Sequence, residues 1–218
     1  MAKIRDTRGR HGTGSGYARL VGNAELGQLL SRTHGTVIRN GNELEHLLAE
    51  RCAFRRVGLQ QRVDGLANGL LDGDAGTAIE VYFGERVRIP GQPRATTCDI
   101  VIIDAQANAA LVIELKDGDT FDTKKSEGEL RSMTLLAAWL ARRLGFETSL
   151  RFCSFNQTDE EAIMVGAKGR FNAEQVMTGQ ALCSLIGIDY AEVQRTRERD
   201  AQDNLEYFVS EVRRIVGL

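Results

Sequence analysis

Three charged residues stand inside two apolar segments of the sequence. The segments are Cys98 to Asp104 (CDIVIID) and Ala109 to Lys116 (AALVIELK), and the charged residues are Asp99, Glu114 and Lys116. Segments of this length and composition are typical of buried strands, and the short connection between them favours an antiparallel hairpin. An ionised side chain among buried strands costs several kcal/mol unless it is paired or binds a metal ion. These three residues are therefore the first candidates for chemistry.

The spacing brings the three charges together. Glu114 and Lys116 are two residues apart on one strand and project from the same face, and the hairpin brings Asp99 to within roughly 5 Å. The two carboxylates and the backbone carbonyl of Leu115 are hard oxygen ligands of the kind that Mg²⁺ prefers. Such a metal ion would activate a water molecule and bridge to a phosphate, while Lys116 could orient the water and offset charge in the transition state. The pattern predicts hydrolysis of phosphodiester bonds; the alternative is a structural ion-pair cluster at the end of a sheet.

The elements that must position this hairpin follow from hydrophobic periodicity and from Gly and Pro punctuation. The chain is expected to be an α/β protein, with a mixed central sheet flanked by helices and additional C-terminal helices. Helices are predicted over Asn40–Phe54, Ser126–Leu144, Ala173–Ile186 and Ala201–Val216. In addition to the hairpin, a strand is predicted over Thr148–Phe155, and Ala78–Phe83 and Arg86–Ile89 are predicted to form one interrupted strand or two short ones. The apolar stripe of the last helix is expected to belong to the core, with a dimer contact as the alternative.

With Asp99, the triplet Glu114-Leu115-Lys116 and the element order of residues 40–155, the chain resembles the PD-(D/E)XK nuclease superfamily, and within it the type II restriction endonucleases. The resemblance covers roughly half the chain, and Cys98 stands where the family often has proline. It implies a restriction-endonuclease-like αβββαβ core in which Asp99 and Glu114 hold the metal ion and Lys116 assists the nucleophile. Members often add an acidic residue from the first helix, for which Glu43 is the favoured candidate; the alternative for Glu43 is an ordinary solvated helix charge.

Charge is distributed unevenly along the chain. The formal net charge is −2, which argues against a protein that simply coats nucleic acid, yet residues 1–39 carry seven Lys and Arg against two acidic residues. This predicts a basic, glycine-rich N-terminal arm over residues 1–39, DNA-contacting or flexible, and a single catalytic domain over residues 40–218. Candidate DNA-binding residues are Arg8, Arg10, Arg32, Arg39, Lys124, Lys125, Lys168 and Arg170, with solvated surface charge as the alternative for each.

The resemblance implies a homodimeric restriction endonuclease that uses Mg²⁺ to cut double-stranded DNA at a short site, leaving 5′-phosphate and 3′-hydroxyl ends. A cognate DNA methyltransferase acting on the same site would be expected beside it. Two other functions stay open: a nicking or junction-resolving endonuclease of repair or recombination, and a DNA-binding module without catalysis. The intact Asp99, Glu114 and Lys116 argue against the last of these.

The four cysteines are far apart in the sequence and form no CxxC pair. No apolar run approaches the length of a membrane span, and no apolar segment follows the basic N-terminus. These features predict a soluble protein of a reducing cytoplasm.

Overall fold

The computed structural model describes residues 1–9, 16–69, 79–118 and 123–218, with the side chains of residues 123–126 excepted. These residues form two compact units. The terminal unit comprises Met1–Leu47 and Ala191–Leu218, and the central unit comprises Leu48–Tyr190. The hairpin of Asp99, Glu114 and Lys116 belongs to the central unit.

The described α-helices are α1 (Gly16–Val21), α2 (Ala24–Arg51), α3 (Leu59–Ala67), α4 (Thr123–Leu144), α5 (Glu160–Gly166), α6 (Gly179–Leu185) and α7 (Tyr190–Val216). The described strands are β1 (Arg55–Arg56), β2 (Ile79–Phe83), β3 (Arg86–Val87), β4 (Thr96–Thr97), β5 (Ile100–Asp104), β6 (Ala109–Lys116), β7 (Glu147–Ser154) and β8 (Val176–Thr178). Two short 3-10 helices span Ile4–Asp6 and Ala173–Gln175.

A mixed sheet forms the centre of the central unit. Its order is β1-β2-β5-β6-β7-β8, in which β2, β5 and β6 pair antiparallel while β6, β7 and β8 pair parallel. The predicted antiparallel hairpin is therefore confirmed as β5 and β6, and the strand predicted over Thr148–Phe155 is confirmed as β7. The segment predicted as one interrupted strand or two short ones forms two: β2 in this sheet and β3, which pairs with β4 in a separate small sheet.

The long helix α4 covers one face of the sheet. Its buried Met133, Leu136 and Leu140 pack in one cluster with Val101 of β5 and Val112 of β6. Each such side chain contributes about 1.5–3 kcal/mol on burial. The cluster includes residues of α3, so both helices lie on this face. The helix predicted from Ser126 to Leu144 is thus confirmed, although it begins at Thr123.

Gly145 ends α4. Its backbone adopts the left-handed conformation with φ +70°, which glycine enters without steric penalty. A glycine directly after the last residue of the predicted helix Ser126–Leu144 is a common signal for the end of a helix, and β7 begins two residues later at Glu147.

The helix predicted over Ala173–Ile186 is wrong in its first half. Residues 173–175 form a 3-10 helix and Val176–Thr178 form strand β8, which pairs with β7 through Phe152 and Val176. Only then does α6 begin, with the Thr178 side chain accepting from the backbone N–H of Ala181. Periodicity could not distinguish these states, because β8 owes its conformation to a neighbouring strand.

The terminal unit also differs from the prediction. Helix α2 begins at Ala24 instead of Asn40, so the predicted division between residues 39 and 40 lies inside a continuous helix. The glycines that suggested a loop are accommodated by packing: a Cβ on Gly35 would lie 3.1 Å from Thr7 Cγ2. Helix α7 likewise begins at Tyr190, eleven positions before the predicted Ala201.

The first nine residues pack against α7. The Met1 amino group pairs with Asp200, and Lys3 Nζ lies 2.6 Å from Asp200 and 2.8 Å from Asp203. These ion pairs hold the start of the chain on α7, and a DNA contact of the predicted arm stays a prediction. Residues 10–15 of the predicted arm, including Arg10, lie outside the described residues.

No helix in the described ranges has the length and apolarity needed to cross a membrane. The four cysteines, Cys52, Cys98, Cys153 and Cys183, are buried with free thiols.

Candidate active site

The polar cluster lies where the apolar face of the hairpin ends. Side chains alternate between faces along a strand. Glu114 therefore lies on the same face as Val112, and Asp99 likewise lies on the same face as Val101. Val101 and Val112 both belong to the core beneath α4. The ionisable side chains thus lie on the same face of the hairpin as these buried valines, directly next to them.

Asp99 and Glu114 form a close carboxyl pair. Asp99 Oδ2 accepts from the backbone N–H of Leu115, the residue that follows Glu114, at 2.7 Å. Burial raises the pKa of Asp99 even though the Leu115 N–H opposes the rise. Burial and the Asp99 charge together raise the pKa of Glu114 to about 7. A nearby cation would favour the charged form of both groups.

Lys116 bridges two carboxylates. Its Nζ lies 2.7 Å from Glu114 Oε1 and 2.7 Å from Glu129 Oε1. Burial alone would lower the pKa of Lys116, but the two carboxylates outweigh it and raise the pKa to about 12. Lys116 is therefore a fixed positive charge at neutral pH and serves as a hydrogen-bond donor.

Glu129 is the member of the cluster that sequence reasoning missed. It lies on α4 four positions before Met133, so it continues the buried stripe of that helix by one turn. Its Oε2 atom is buried without a hydrogen-bond partner in the part of the chain that the structure describes. A glutamate in register with an apolar helical stripe was the signal that could have identified it.

The donor set suits Mg²⁺. The cluster offers the two carboxylates of Asp99 and Glu114; no group of three or more His, Cys, Asp or Glu side chains that could hold a metal ion occurs among the described residues. Mg²⁺ is commonly bound through one or two carboxylates, with water and substrate phosphate completing its octahedral shell. Two neighbouring carboxyl groups whose pKa values are raised by burial are also a place where a divalent cation is favoured. These residues fit the ion, whereas the role of the Leu115 carbonyl stays a prediction.

Glu43, the predicted acidic residue of the first helix, belongs to a different unit from this cluster. Glu43 lies in the terminal unit with a side chain that is 36% exposed, and its carboxylate is 3.9 Å from Arg39 one helical turn earlier. Asp99, Glu114, Lys116 and Glu129 belong to the central unit. The catalytic role of Glu43 stays a prediction.

Arg32, whose DNA-binding role stays a prediction, makes several contacts within the terminal unit. Its Nε and Nη2 atoms donate to the backbone carbonyls of Ile4, Arg5 and Thr7. Its guanidinium also lies 5.3 Å from the ring centroid of Tyr207. Arg32 therefore holds the N-terminal segment within the terminal unit.

The other predicted DNA-binding residues lie at several places in the fold. Arg8 and Lys168 are exposed, and the Arg39 side chain is 52% exposed. Lys168 follows α5 in a left-handed backbone conformation with φ 55°, and Arg170 is half-buried and has a partner. Lys124 and Lys125 belong to the first turn of α4, but their side chains lie outside the described residues.

The comparison with known proteins gives a full-length relative. Over 221 aligned residues the chain is 39% identical to the type II restriction enzyme HhaII of Haemophilus parahaemolyticus. The alignment covers 99% of this chain and 95% of the relative. No protein-family model matches the chain, and no solved structure matches it significantly. Identity at this level over nearly the whole of both chains shows that the chain belongs to the family of type II restriction enzymes.

Proposed function

We propose that this protein is a type II restriction endonuclease that cleaves double-stranded DNA at a specific sequence with Mg²⁺, leaving 5′-phosphate and 3′-hydroxyl ends. The observation that carries the proposal is the cluster of Asp99, Glu114 and Lys116 at the end of β5 and β6, in a chain of the restriction enzyme family. The mixed sheet with α4 on one face is compatible with a PD-(D/E)XK core of the restriction-endonuclease type. We infer that fold from the topology and the motif together.

Each residue of the cluster has a distinct part. Asp99 and Glu114 would hold the ion, with the Leu115 carbonyl as a further ligand, and the Leu115 N–H fixes the Asp99 carboxylate. When bound, Mg²⁺ supplies a Lewis acid that lowers the pKa of the attacking water and offsets the charge on the phosphate. An ammonium group has three donors, and two of those on Lys116 contact Glu114 and Glu129. The third can donate to the attacking water or to a phosphate oxygen.

We also propose that the protein acts as a homodimer, since a two-fold DNA site calls for a two-fold enzyme. A methyltransferase of the same specificity would protect the host DNA. Candidate phosphate and groove contacts are Arg8, Arg10, Arg39, Lys124, Lys125, Lys168 and Arg170.

The test is digestion of unmethylated plasmid DNA in Mg²⁺ or in EDTA, with Lys116→Ala compared with the wild type. Discrete linear fragments in Mg²⁺, their absence in EDTA and their loss in Lys116→Ala are expected. Ligation of the fragments without prior phosphorylation would support the proposed ends. Nicking alone, or cleavage of branched DNA only, would point to a repair enzyme, and no cleavage of any DNA in Mg²⁺ or Mn²⁺ would overturn the enzymatic proposal.

A further inference from the structure

Lys116 is held from two different elements. Glu114 lies two residues earlier on the same strand, whereas Glu129 comes from α4, and both carboxylates are 2.7 Å from Lys116 Nζ. The Lys116 side chain is 30% exposed, and that of Glu129 is 25% exposed. The ammonium group is thus fixed between the sheet and the helix that covers it.

The two carboxylates that contact Lys116 differ in their other proposed roles. Glu114 is also the residue proposed to bind Mg²⁺, so its carboxylate must serve the ion and the ammonium group together. Lysine has a flexible four-carbon stem and about 2 kcal/mol of rotamer entropy. One partner shared with a metal ion would leave that stem poorly fixed when the ion binds. Glu129 supplies a second anchor on a separate element.

The Glu129 carboxylate contacts Lys116 through one of its two oxygens. Its Oε1 accepts from Lys116, whereas its buried Oε2 has no hydrogen-bond partner in the described ranges. The neighbouring Glu127, two residues earlier on α4, has a side chain that is 69% exposed and lies 3.9 Å from Arg131. Position 129 therefore differs from its helical neighbour in burial and in partner.

We propose that Glu129 is a positioning residue of the active site: it holds the Lys116 ammonium group in place while Glu114 serves the metal ion. This inference rests on the proposed function. It assigns Glu129 no contact with the metal ion or with DNA, so the residue acts through Lys116 alone.

Four variants test the inference: Glu129→Gln, Glu129→Ala, Glu129→Asp and the matched control Glu127→Gln. Single-turnover cleavage of plasmid DNA in Mg²⁺ gives the rate, DNA binding in Ca²⁺ gives affinity, and calorimetric titration of the DNA-free protein with Mn²⁺ gives metal affinity. Glu129→Gln is expected to cleave about 10- to 100-fold more slowly, with DNA and Mn²⁺ affinities unchanged within about twofold. Glu129→Asp, which keeps the charge, should cleave at a rate between those of the wild type and Glu129→Ala, and Glu127→Gln should match the wild type.

Several results would overturn the inference. A wild-type cleavage rate in Glu129→Gln would show that Lys116 needs no second anchor. Loss of Mn²⁺ binding as severe as that in Glu114→Gln would make Glu129 a metal ligand instead. Should Glu129→Ala fail to fold, Glu129→Gln, which keeps the shape of the side chain, decides the question. Absence of cleavage by the wild type would instead overturn the proposed function and this inference with it.

Discussion

At the scale of single residues, the site brings two acids together in a place where neither is easily charged. Asp99 and Glu114 are largely removed from water, which raises the pKa of both, and the Asp99 charge raises the pKa of Glu114 further. The positive charge of Lys116 offsets part of the free energy needed to ionise these carboxyl groups, and a divalent cation would offset a larger part of it. The cluster is therefore arranged for a ligand at some expense of stability, as functional sites commonly are.

The metal-free protein should lose stability as Glu114 ionises. Its pKa is 4.5 in the unfolded chain and about 7 in the fold, so the folded state binds more protons between these values. The stability from this protonation is complete below pH 4.5 and is lost as the pH rises through about 7. Glu114→Gln cannot ionise at this position. Its free energy of unfolding should therefore increase relative to that of the wild type as the pH rises, by on the order of 3 kcal/mol from pH 4.5 to pH 8.

Urea denaturation of both proteins in EDTA across this pH range measures the difference. A difference in unfolding free energy that stayed constant with pH would contradict the account. Addition of Mg²⁺ at pH 8 should stabilise the wild type more than the variant, because only the wild type offers both carboxylates.

The site could be predicted from sequence to the extent that it lies on one hairpin. Asp99, Glu114 and Lys116 were identified because charges among buried strands demand compensation, and the register of β5 and β6 brings them together. Glu129 was missed because its contact with Lys116 depends on how α4 packs on the sheet. A local sequence pattern does not predict that packing. The contacts of Arg32 could not be predicted for the same reason, since its carbonyl partners lie more than twenty residues earlier in the sequence.

At the scale of elements, strong local patterns determined what could be predicted. β5, β6, β7 and α4 were predicted nearly at their observed bounds because each is long and uniformly patterned. β8 was mistaken for helix because three residues gain strand conformation only by pairing with β7. The early start of α2 was missed because two of its glycines, Gly27 and Gly35, each cost about 1 kcal/mol in a helix but lie in close contact with other segments of the terminal unit.

The junction between β7 and α6 should tolerate no side chain at Gly179. A Cβ built there would overlap the carbonyl oxygen of Phe155, so the backbone of one segment would have to move. Gly179→Ala is expected to destabilise the protein by about 2 kcal/mol or more. Gly128→Ala on α4 is the control: a Cβ there meets no atom within 4 Å among the described residues, and it should stabilise the helix by up to about 1 kcal/mol.

Thermal and denaturant unfolding of the two variants tests this contrast. Equal stability of Gly179→Ala and the wild type would show that α6 can shift away from Phe155 without loss.

At the scale of the whole molecule, charge is uneven although the net charge is small. Residues 1–39 carry a net charge of +5, which leaves −7 for the rest of the chain. The terminal unit contains Arg8 and Arg39, whereas the carboxylates of the proposed metal site belong to the central unit. DNA binding through the proposed contacts should therefore depend strongly on salt.

Removal of a phosphate contact has a defined signature. Arg39→Ala and Lys168→Ala should each weaken binding to all DNA sequences and reduce the slope of log K against log salt by about 1. Arg214→Ala is the control, because Arg214 pairs with Glu25 and Glu211 in the terminal unit and is not a proposed contact. DNA binding is measured in Ca²⁺ at several salt concentrations. A variant that keeps the wild-type slope would exclude its residue as a phosphate contact.

The central claim is that Asp99, directly before β5, and Glu114, near the end of β6, are required for DNA cleavage. The most direct measurement is the single-turnover cleavage rate of Asp99→Asn in Mg²⁺, on a plasmid that the wild type cuts and at saturating protein. Asp104→Asn, at the other end of β5, is the matched control, since Asp104 caps the hairpin turn through the N–H groups of Gln106 and Ala107. The account predicts that Asp99→Asn binds DNA normally in Ca²⁺ but cleaves at least about 100-fold more slowly, while Asp104→Asn cleaves like the wild type. Cleavage by Asp99→Asn at the wild-type rate would contradict it.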